Sequence, residues 1–173
     1  KVKNNILQIC YISNISREKG TLDLIKSVQN RADIRLIIAG NFLSEKEDFL
    51  ELVGQCDNIS YAGFADEEVK REIFESSDVF CLPSKLEEGG PISIIEAMSY
   101  GLPIIASDKG CIADMIDGLG YVLPKDYNSS DIIDGIEFIK NNYDTLSVNA
   151  MKKYQQNYLQ ERFIGNLENI LKG

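Results

Sequence analysis

The sequence predicts a doubly wound α/β domain, in which a parallel sheet is covered by helices on both faces, followed by a helical C-terminal tail. Short apolar runs recur along the chain, and each is followed by a segment whose apolar residues have helical spacing. The runs are nearly continuous, which is typical of strands buried on both faces of a parallel sheet. A chain of 173 residues fits one domain, 1–173, with one sizeable core.

The strands are predicted at the apolar runs. Glycine ends the second and third of them, where a strand would turn into a loop. Because the runs alternate with helical segments, the strands are expected to lie parallel and to be joined by helices. The predicted strands cover residues 6–12, 35–40, 58–63, 78–82, 103–107 and 120–123.

Helix boundaries are indicated by capping residues, proline and glycine. Ser44 begins the pattern Ser-Glu-Lys-Glu, which is typical of a capping box. Pro91 is expected to open a helix that Gly101 ends, since proline favours helix starts and glycine favours helix ends. The predicted helices cover 22–28, the segment that Ser44 begins, a segment that Asp66 caps, 91–98, 111–116 and the residues from Ser129 to the C-terminus.

Composition excludes several classes of function. The net charge of −9 speaks against a nucleic-acid-binding domain, which usually carries a basic face. The chain has no histidine, which removes Ser-His-Asp and Cys-His catalysis and histidine-ligated metals. The four cysteines form no Cys-x-x-Cys pair, so we expect a reduced, cytoplasmic protein without a zinc site or a disulfide framework. No apolar run approaches the roughly 18 residues that a membrane-spanning helix needs.

One loop at the predicted carboxyl edge of the sheet carries two glutamates around a glycine pair. Gly89 and Gly90 precede Pro91, so their amides are expected at the positive end of a helix, where an anion such as phosphate can bind. Glu88 lies in the loop and Glu96 in the following helix. Two carboxylates around an amide-rich turn suit a ligand with phosphate in its middle and sugar hydroxyls on both sides. On spacing alone, a helix with a solvated acidic start explains the pattern equally well.

Two further loops belong to the same edge. Residues 13–20 follow the first strand, and Lys19 there can neutralise a diphosphate, although most such lysines are simply solvated. Gly40 ends the second strand, and Gly63 with Phe64 ends the third. These glycines can admit a base or a ribose, but ordinary turns explain them equally well.

The combination resembles the C-terminal, donor-binding domain of the large retaining glycosyltransferase family 4, which has the GT-B fold. The segment 82–107 is similar to the family's signature of two glutamates with seven residues between them, here Glu88 and Glu96. Lys19, with the glycine after it, is similar to the family's lysine–glycine turn, and Gly101 to the glycine that follows the signature helix. The resemblance covers essentially the whole chain, and it implies a Rossmann-like half of a GT-B fold.

The resemblance also implies roles for individual residues. Glu96 would accept hydrogen bonds from the ribose, and Glu88 would hold hydroxyls of the donor sugar. The amides of the glycine pair would contact the distal phosphate or the sugar, and Lys19 would stabilise the diphosphate leaving group. Catalytic roles are implied for Lys19 and Glu88, and donor binding for Asn14, Lys19, Gly40, Gly63, Phe64, Glu88, Gly89, Gly90, Pro91, Ile92 and Glu96.

The chain departs from the family's pattern at two points. Asn14 stands five residues before Lys19, where the family usually has an arginine as second cation for the diphosphate. Arg17 lies in the same loop and could take over that role. The family's N-terminal, acceptor-binding domain of similar length is also missing from this sequence.

The resemblance implies a nucleotide-sugar donor, such as a UDP- or GDP-sugar, bound without a metal ion or another cofactor. A glycan or lipid acceptor would bind through the missing N-terminal domain, and the full enzyme could associate peripherally with a membrane. In the tail, Phe163, Leu167, Ile170 and Leu171 share one helix face. This face could cross back to the other domain, as in the GT-B fold, or pack on its own domain.

Two other classes of function remain open. A GT-B enzyme that is not a transferase, such as a nucleotide-sugar epimerase, usually has histidine and arginine clusters that this chain lacks. A non-catalytic nucleotide-binding or regulatory α/β domain is the second class. A receiver domain needs paired acidic residues after its first strand, where this chain has Ser13-Asn14. A Rossmann dehydrogenase needs Gly-x-Gly-x-x-Gly there.

Overall fold

The computed structural model describes residues 6–159. They form a parallel six-stranded sheet with the order β3-β2-β1-β4-β5-β6, which confirms the predicted doubly wound α/β class. The strands are β1 (Leu7–Ile12), β2 (Ile34–Ala39), β3 (Ile59–Tyr61), β4 (Val79–Leu82), β5 (Ile104–Ser107) and β6 (Gly120–Leu123). The helices are α1 (Thr21–Val28), α2 (Lys46–Gly54), α3 (Glu67–Ser76), α4 (Ile92–Ser99), α5 (Ile112–Met115) and α6 (Ser129–Asn157).

The central strands are buried along nearly their whole length, as the continuous apolar runs predicted. All residues of β4 and β5 are buried. In β1, the fully buried Tyr11 keeps its hydroxyl satisfied by donating to the main-chain oxygen of Asn14 at 2.6 Å. Burial raises the pKa of the Cys10 thiol to about 12, so this side chain is a neutral apolar filler. Each large apolar side chain in this core contributes roughly 1.5–3 kcal/mol by leaving water.

The predicted capping box at Ser44 is wrong. α2 begins at Lys46, and Glu45 stands at its N-cap with a φ of 52° and no side-chain cap hydrogen bond. The Ser44 hydroxyl bonds to the Glu45 carboxylate, which also accepts from the main-chain amide of Arg17 at 3.1 Å. Because these polar groups are engaged in the loop, they do not cap the helix.

The other helix starts agree more closely with the sequence. The Asp66 side chain accepts from the Val69 amide at 2.9 Å, so the predicted cap of α3 is confirmed. Pro91 occupies the N-cap of α4, and the helix therefore begins one residue later than predicted, at Ile92. Gly101 follows the end of α4 with a φ of 68°, as expected of a glycine stop.

The strand order reverses at β1, which pairs with β2 on one side and with β4 on the other. The loops after β1 and β4 therefore leave the sheet as neighbours. At Gly20, at the start of α1, φ is 72°, and a Cβ atom would collide with the carbonyl oxygen of Pro83 and the hydroxyl of Tyr127. Glycine is thus required where the β1–α1 loop passes the β4–α4 loop, and the two loops lie side by side at the carboxyl edge of the sheet.

α6 holds the C-terminal part of the described chain against the sheet. Asn128 and Asp131 form a capping box at its start, and the helix packs against β6, α1 and α4. The helical prediction from Ser129 is confirmed as far as Asn157. The predicted apolar face of Phe163, Leu167, Ile170 and Leu171 lies outside the described residues. Within residues 6–159, none of the helices combines the length and the apolar character needed to cross a membrane.

A charged cluster ties α6 to the start of β2. The Asp33 carboxylate accepts from the Arg31 guanidinium and from the Lys140 ammonium, each at 2.8 Å. Glu137 pairs with the same two cations, at 3.2 and 3.1 Å. The hydrogen bonds from Arg31 are the main reason why the pKa of Asp33 lies well below its usual range.

Candidate functional site

A cleft of about 530 Å³ opens at the carboxyl edge of the sheet, beside the point where the strand order reverses. This is where doubly wound folds bind their ligands. Its walls come from the loops after β1, β2, β3 and β4 and from the first turns of α3 and α4. The lining residues are Ile12, Ser13, Asn14, Lys19, Gly40, Asn41, Phe64, Ala65, Lys70, Leu82, Glu88, Pro91, Ile92, Ser93 and Glu96.

Most of the site residues that the sequence predicted line this one cleft. They come from the four loops after β1, β2, β3 and β4 and from α4, and the sheet brings these segments together. Gly63, Gly89 and Gly90 are not among its lining residues. The predicted residues that line it are Asn14, Lys19, Gly40, Phe64, Glu88, Pro91, Ile92 and Glu96.

Lys19 and Glu88 form an ion pair inside the cleft. The Lys19 Nζ atom lies 2.6 Å from Glu88 Oε1, and the two side chains are only 15% and 14% exposed. Ser84, which is buried, donates its hydroxyl to the same carboxylate oxygen at 2.7 Å. The hydrogen bond from the Lys85 amide to the Glu18 carbonyl, 2.7 Å long, joins the two loops that carry the pair. The cation and the carboxylate are thus held close together, where one ligand can contact both.

The Glu88 loop is supported from behind by the loop between β5 and α5. The Cys111 amide donates to the Glu88 carbonyl at 3.1 Å, and the Gly110 amide donates to the Glu87 side chain at 2.5 Å. Gly110 has a φ of 59°, and a Cβ atom there would collide with the Glu88 backbone. The Ser107 hydroxyl also donates to the carbonyl of Ser84. The position of Glu88 is therefore set by residues that do not line the cleft themselves.

Glu96 forms the second ion pair of the cleft, with a partner that the sequence analysis missed. Lys70, from the first turn of α3, places its Nζ atom 2.9 Å from Glu96 Oε1. No local pattern marks Lys70 as a site residue, since it lies 26 residues from Glu96 along the chain. The cap at Asp66 fixes that turn at the carboxyl edge of the sheet.

The glycine pair lies at the rim of the cleft. Gly90 has a φ of 120°, a backbone conformation that side chains rarely adopt. Pro91 and Ile92 follow it into the lining, and the Ile92 side chain is 71% exposed. The start of α4 therefore lines the cleft beside Glu88, which brings the positive end of the helix dipole to this side.

The far wall consists of the loops after β2 and β3. The Gly40 amide donates to the Gly63 carbonyl at 2.8 Å, and the Tyr61 hydroxyl donates to the Gly40 carbonyl at 2.8 Å. Phe64 lies in the lining with 67% of its surface exposed. An exposed aromatic ring at the mouth of a cleft suits stacking against a flat ligand group, such as a nucleobase.

Asn14 and Arg17 lie in different environments. Asn14 is exposed and lines the cleft. Arg17 is absent from the lining; its guanidinium lies 3.7 Å from the carboxylate of Glu45, and its side chain is 61% exposed. The structure therefore does not bring Arg17 to the place of the missing arginine. Among residues 6–159, no three His, Cys, Asp or Glu side chains are grouped as a bound metal ion requires.

Comparison with known proteins identifies relatives over nearly the whole chain. An uncharacterized glycosyltransferase of Methanocaldococcus jannaschii is 24% identical over 99% of this chain and 46% of its own length. The O-antigen biosynthesis glycosyltransferase WclY of Escherichia coli is 27% identical over 91% of this chain and 44% of its own length. The chain thus spans about half the length of these curated relatives.

Solved structures agree with the fold. The structure of Anabaena Alr3699/HepE in complex with UDP and glucose has a TM-score of 0.82 and 20% identity, over 97% of this chain and 48% of that one. The match confirms the predicted fold, one half of a GT-B fold. The family model described as "Glycosyl transferases group 1" matches residues 2–158. This chain therefore belongs to the group 1 glycosyl transferase family.

Proposed function

We propose that this chain binds the nucleotide-sugar donor of a retaining glycosyltransferase and stabilises the diphosphate leaving group. The observation that carries the proposal is the ion pair of Lys19 with Glu88, 2.6 Å long, in a cleft that also contains Glu96. A cation beside two carboxylates suits a donor with a charged diphosphate between two hydroxyl-bearing sugars.

The donor would lie with its ribose at Glu96 and its transferred sugar at Glu88. Both carboxylates accept hydrogen bonds from hydroxyl groups, and neither needs a metal ion to do so. Phe64 would contact the base at the outer end of the cleft. The exposed start of α4 would face the distal phosphate with its amides.

In the transfer step, the bond between the anomeric carbon and the distal phosphate oxygen breaks, and that oxygen keeps the electron pair. The acceptor oxygen forms the new bond to the anomeric carbon on the same face of the sugar, and its proton passes to the departing phosphate oxygen. Negative charge builds on the diphosphate, and Lys19 is placed to neutralise it. One preorganised donor of this kind contributes about 3–4 kcal/mol to stabilising the transition state.

Binding of the diphosphate must change the ion pair that exists in the free cleft. Lys19 would turn from Glu88 to the phosphates, while Glu88 would turn to the sugar hydroxyls. The Ser84 hydroxyl, which already donates to Glu88 at 2.7 Å, would keep the carboxylate hydrogen-bonded while Lys19 turns away. In the free protein, the two charged groups needed for donor binding, Lys19 and Glu88, thus pair with each other.

The proposal extends to the donor, the acceptor and the location of the full enzyme. A UDP-sugar is favoured as donor, because Anabaena Alr3699/HepE was solved with UDP and glucose. A glycan or lipid acceptor would bind to a further domain, since the curated relatives are about twice as long as this chain. A cytoplasmic location and peripheral membrane association of the full enzyme stay predictions.

Calorimetry with UDP, GDP, ADP and their glucose conjugates tests the proposal, each measured with and without EDTA. We expect one diphosphate to bind, with the same affinity in both buffers, because Lys19 supplies the charge that a metal ion would supply. Lys19→Met should weaken binding by about tenfold or more, the loss of one charge-assisted contact. Failure of all three diphosphates to bind, or binding that EDTA abolishes, would contradict the proposal.

The two carboxylates are distinguished by two matched variants. Glu96→Gln should weaken binding of the free diphosphate by roughly tenfold, since the ribose is present in every form. Glu88→Gln should mainly weaken the extra affinity of the sugar conjugate over the free diphosphate. Equal effects of both variants on the free diphosphate would remove the separate roles.

A further inference from the structure

The carboxylate of Glu96 is held by one side chain. Among residues 6–159, only Lys70 forms a hydrogen bond to it, at 2.9 Å. The two residues come from different helices, α3 and α4, and each side chain is 25% exposed. The contact therefore connects two walls of the cleft at its nucleotide end.

The ion pair limits the directions that Glu96 can take. A glutamate side chain has several rotatable bonds, and ordering it costs free energy when nothing holds it. Lys70 occupies Oε1 and leaves the other carboxylate oxygen, Oε2, to accept from a ligand. The hydrogen bond to Glu96 also raises the pKa of Lys70, which favours the charged form of the lysine.

The other contact of Lys70 is weaker. Its ammonium lies 3.2 Å from Glu67, whose side chain is 90% exposed. An exposed pair within one helix contributes little. The partly buried Glu96 is therefore the main partner of this lysine.

Building on the donor-binding function proposed above, we propose that Lys70 is a positioning residue for the ribose, which holds the Glu96 carboxylate in the orientation that accepts from the ribose hydroxyls. Lys70 acts through Glu96 and contacts neither the phosphates nor the base. Its loss weakens recognition of the ribose hydroxyls and leaves the rest of nucleotide binding in place. Preference for a ribonucleotide over its dideoxy form is therefore the property that depends on Lys70.

The test compares the tightest binder among UDP, GDP and ADP with its 2′,3′-dideoxy counterpart, by calorimetry. We expect the wild-type chain to prefer the ribonucleotide roughly tenfold, as charged hydrogen bonds to the hydroxyls would give. Lys70→Met should reduce that preference to about twofold by weakening the ribonucleotide alone. Lys70→Arg should restore most of it, because arginine keeps the charge and the donors.

Two controls make the result specific. Arg71→Met removes the next cation of α3, which pairs only distantly with Glu68 at 3.6 Å, and should leave the preference unchanged. In a chain that already carries Glu96→Gln, Lys70→Met should have little further effect, because the two residues act as one unit. Thermal unfolding of each variant shows whether it is folded.

Several outcomes would overturn the inference. Equal weakening of the ribonucleotide and the dideoxynucleotide would mean that Lys70 contacts the phosphates or the base. An unchanged preference in Lys70→Met, or no rescue by Lys70→Arg in a folded variant, would mean that Lys70 does not position Glu96. If the wild-type chain binds a diphosphate but shows no ribose preference, this inference and the placement of the ribose at Glu96 fail, while the proposed binding of a nucleotide donor stands. If it binds none of the three, the proposed function fails as well.

Discussion

Replacing Asn14 with arginine tests the proposed diphosphate site most directly. The cleft lining carries two positive and two negative side chains, Lys19 and Lys70 against Glu88 and Glu96, and each cation already has a carboxylate partner. A guanidinium at position 14 would add a positive charge that is free to pair with a phosphate. Asn14 is exposed, and its main-chain oxygen accepts a hydrogen bond from the Tyr11 hydroxyl, so a longer side chain fits without breaking that contact.

The magnitude follows from the exposure of the site. Two unit charges about 4 Å apart attract each other by about 1 kcal/mol in water and by about 4 kcal/mol at the effective dielectric of a protein surface. Ordering an arginine side chain costs up to about 2 kcal/mol. A net gain of about 1 kcal/mol, or roughly fivefold in affinity, is therefore expected.

Calorimetry of UDP binding at two salt concentrations checks this value. Asn14→Arg should gain about fivefold at about 50 mM salt and less than about twofold at about 500 mM, since ions screen an exposed pair. Arg17→Ala is the matched control and should change nothing, because Arg17 faces Glu45 outside the cleft. A loss of affinity in Arg17→Ala, without a gain in Asn14→Arg, would make Arg17 the second cation. No effect of either change would mean that this loop does not contact the diphosphate.

Two further predictions concern the fold. Gly20→Ala should lower the free energy of unfolding by more than about 2 kcal/mol, since its φ of 72° and the nearby loop exclude a side chain. Gly54→Ala, with open space around it, is the control. Equal denaturation midpoints of these two variants would refute the argument. Asp33→Asn should lower it by about 1 kcal/mol at pH 7, because Asp33 is 41% exposed and solvent screens its pairs with Arg31 and Lys140. Since folding depresses the pKa of Asp33, this contribution is present in full above its unfolded pKa of about 4 and is lost progressively as the pH falls towards its lower pKa in the folded chain. The difference between the unfolding curves of the two chains should therefore shrink as the pH falls below about 4, and a difference that stays constant down to about pH 2 would contradict the assignment.

Local patterns predicted the fold, because apolar runs and helix caps involve residues that are close together along the chain. The apolar runs located all six strands within one or two residues at most boundaries, and β6 has the predicted bounds. The cap at Asp66 was also readable, since a capping side chain and its amide lie three residues apart. Ser44 offered the same kind of pattern and misled, because its hydroxyl bonds to the neighbouring Glu45, whose carboxylate also accepts from the amide of Arg17 in a distant loop.

The site was predictable only where a loop carries its own signature. Glu88 and Glu96 stand in such a segment, whereas their partners Lys19 and Lys70 lie 69 and 26 residues away from them along the chain. Lys19 was found because its loop also resembles a family motif. Lys70 belongs to no such motif, and only the packing of α3 beside α4 reveals it.

The support behind Glu88 has a consequence for engineering sugar preference. The Gly110 and Cys111 amides and the Ser107 hydroxyl donate hydrogen bonds to the Glu88 loop from the side opposite the cleft. The position of segment 84–91 therefore depends on segment 107–111. If only segment 84–91 were replaced by that of another family member, its hydrogen bonds to segment 107–111 would no longer match, and the Glu88 carboxylate would shift. A chimera that exchanges both segments together would keep the Glu88 carboxylate in place while changing the residues around the proposed sugar site.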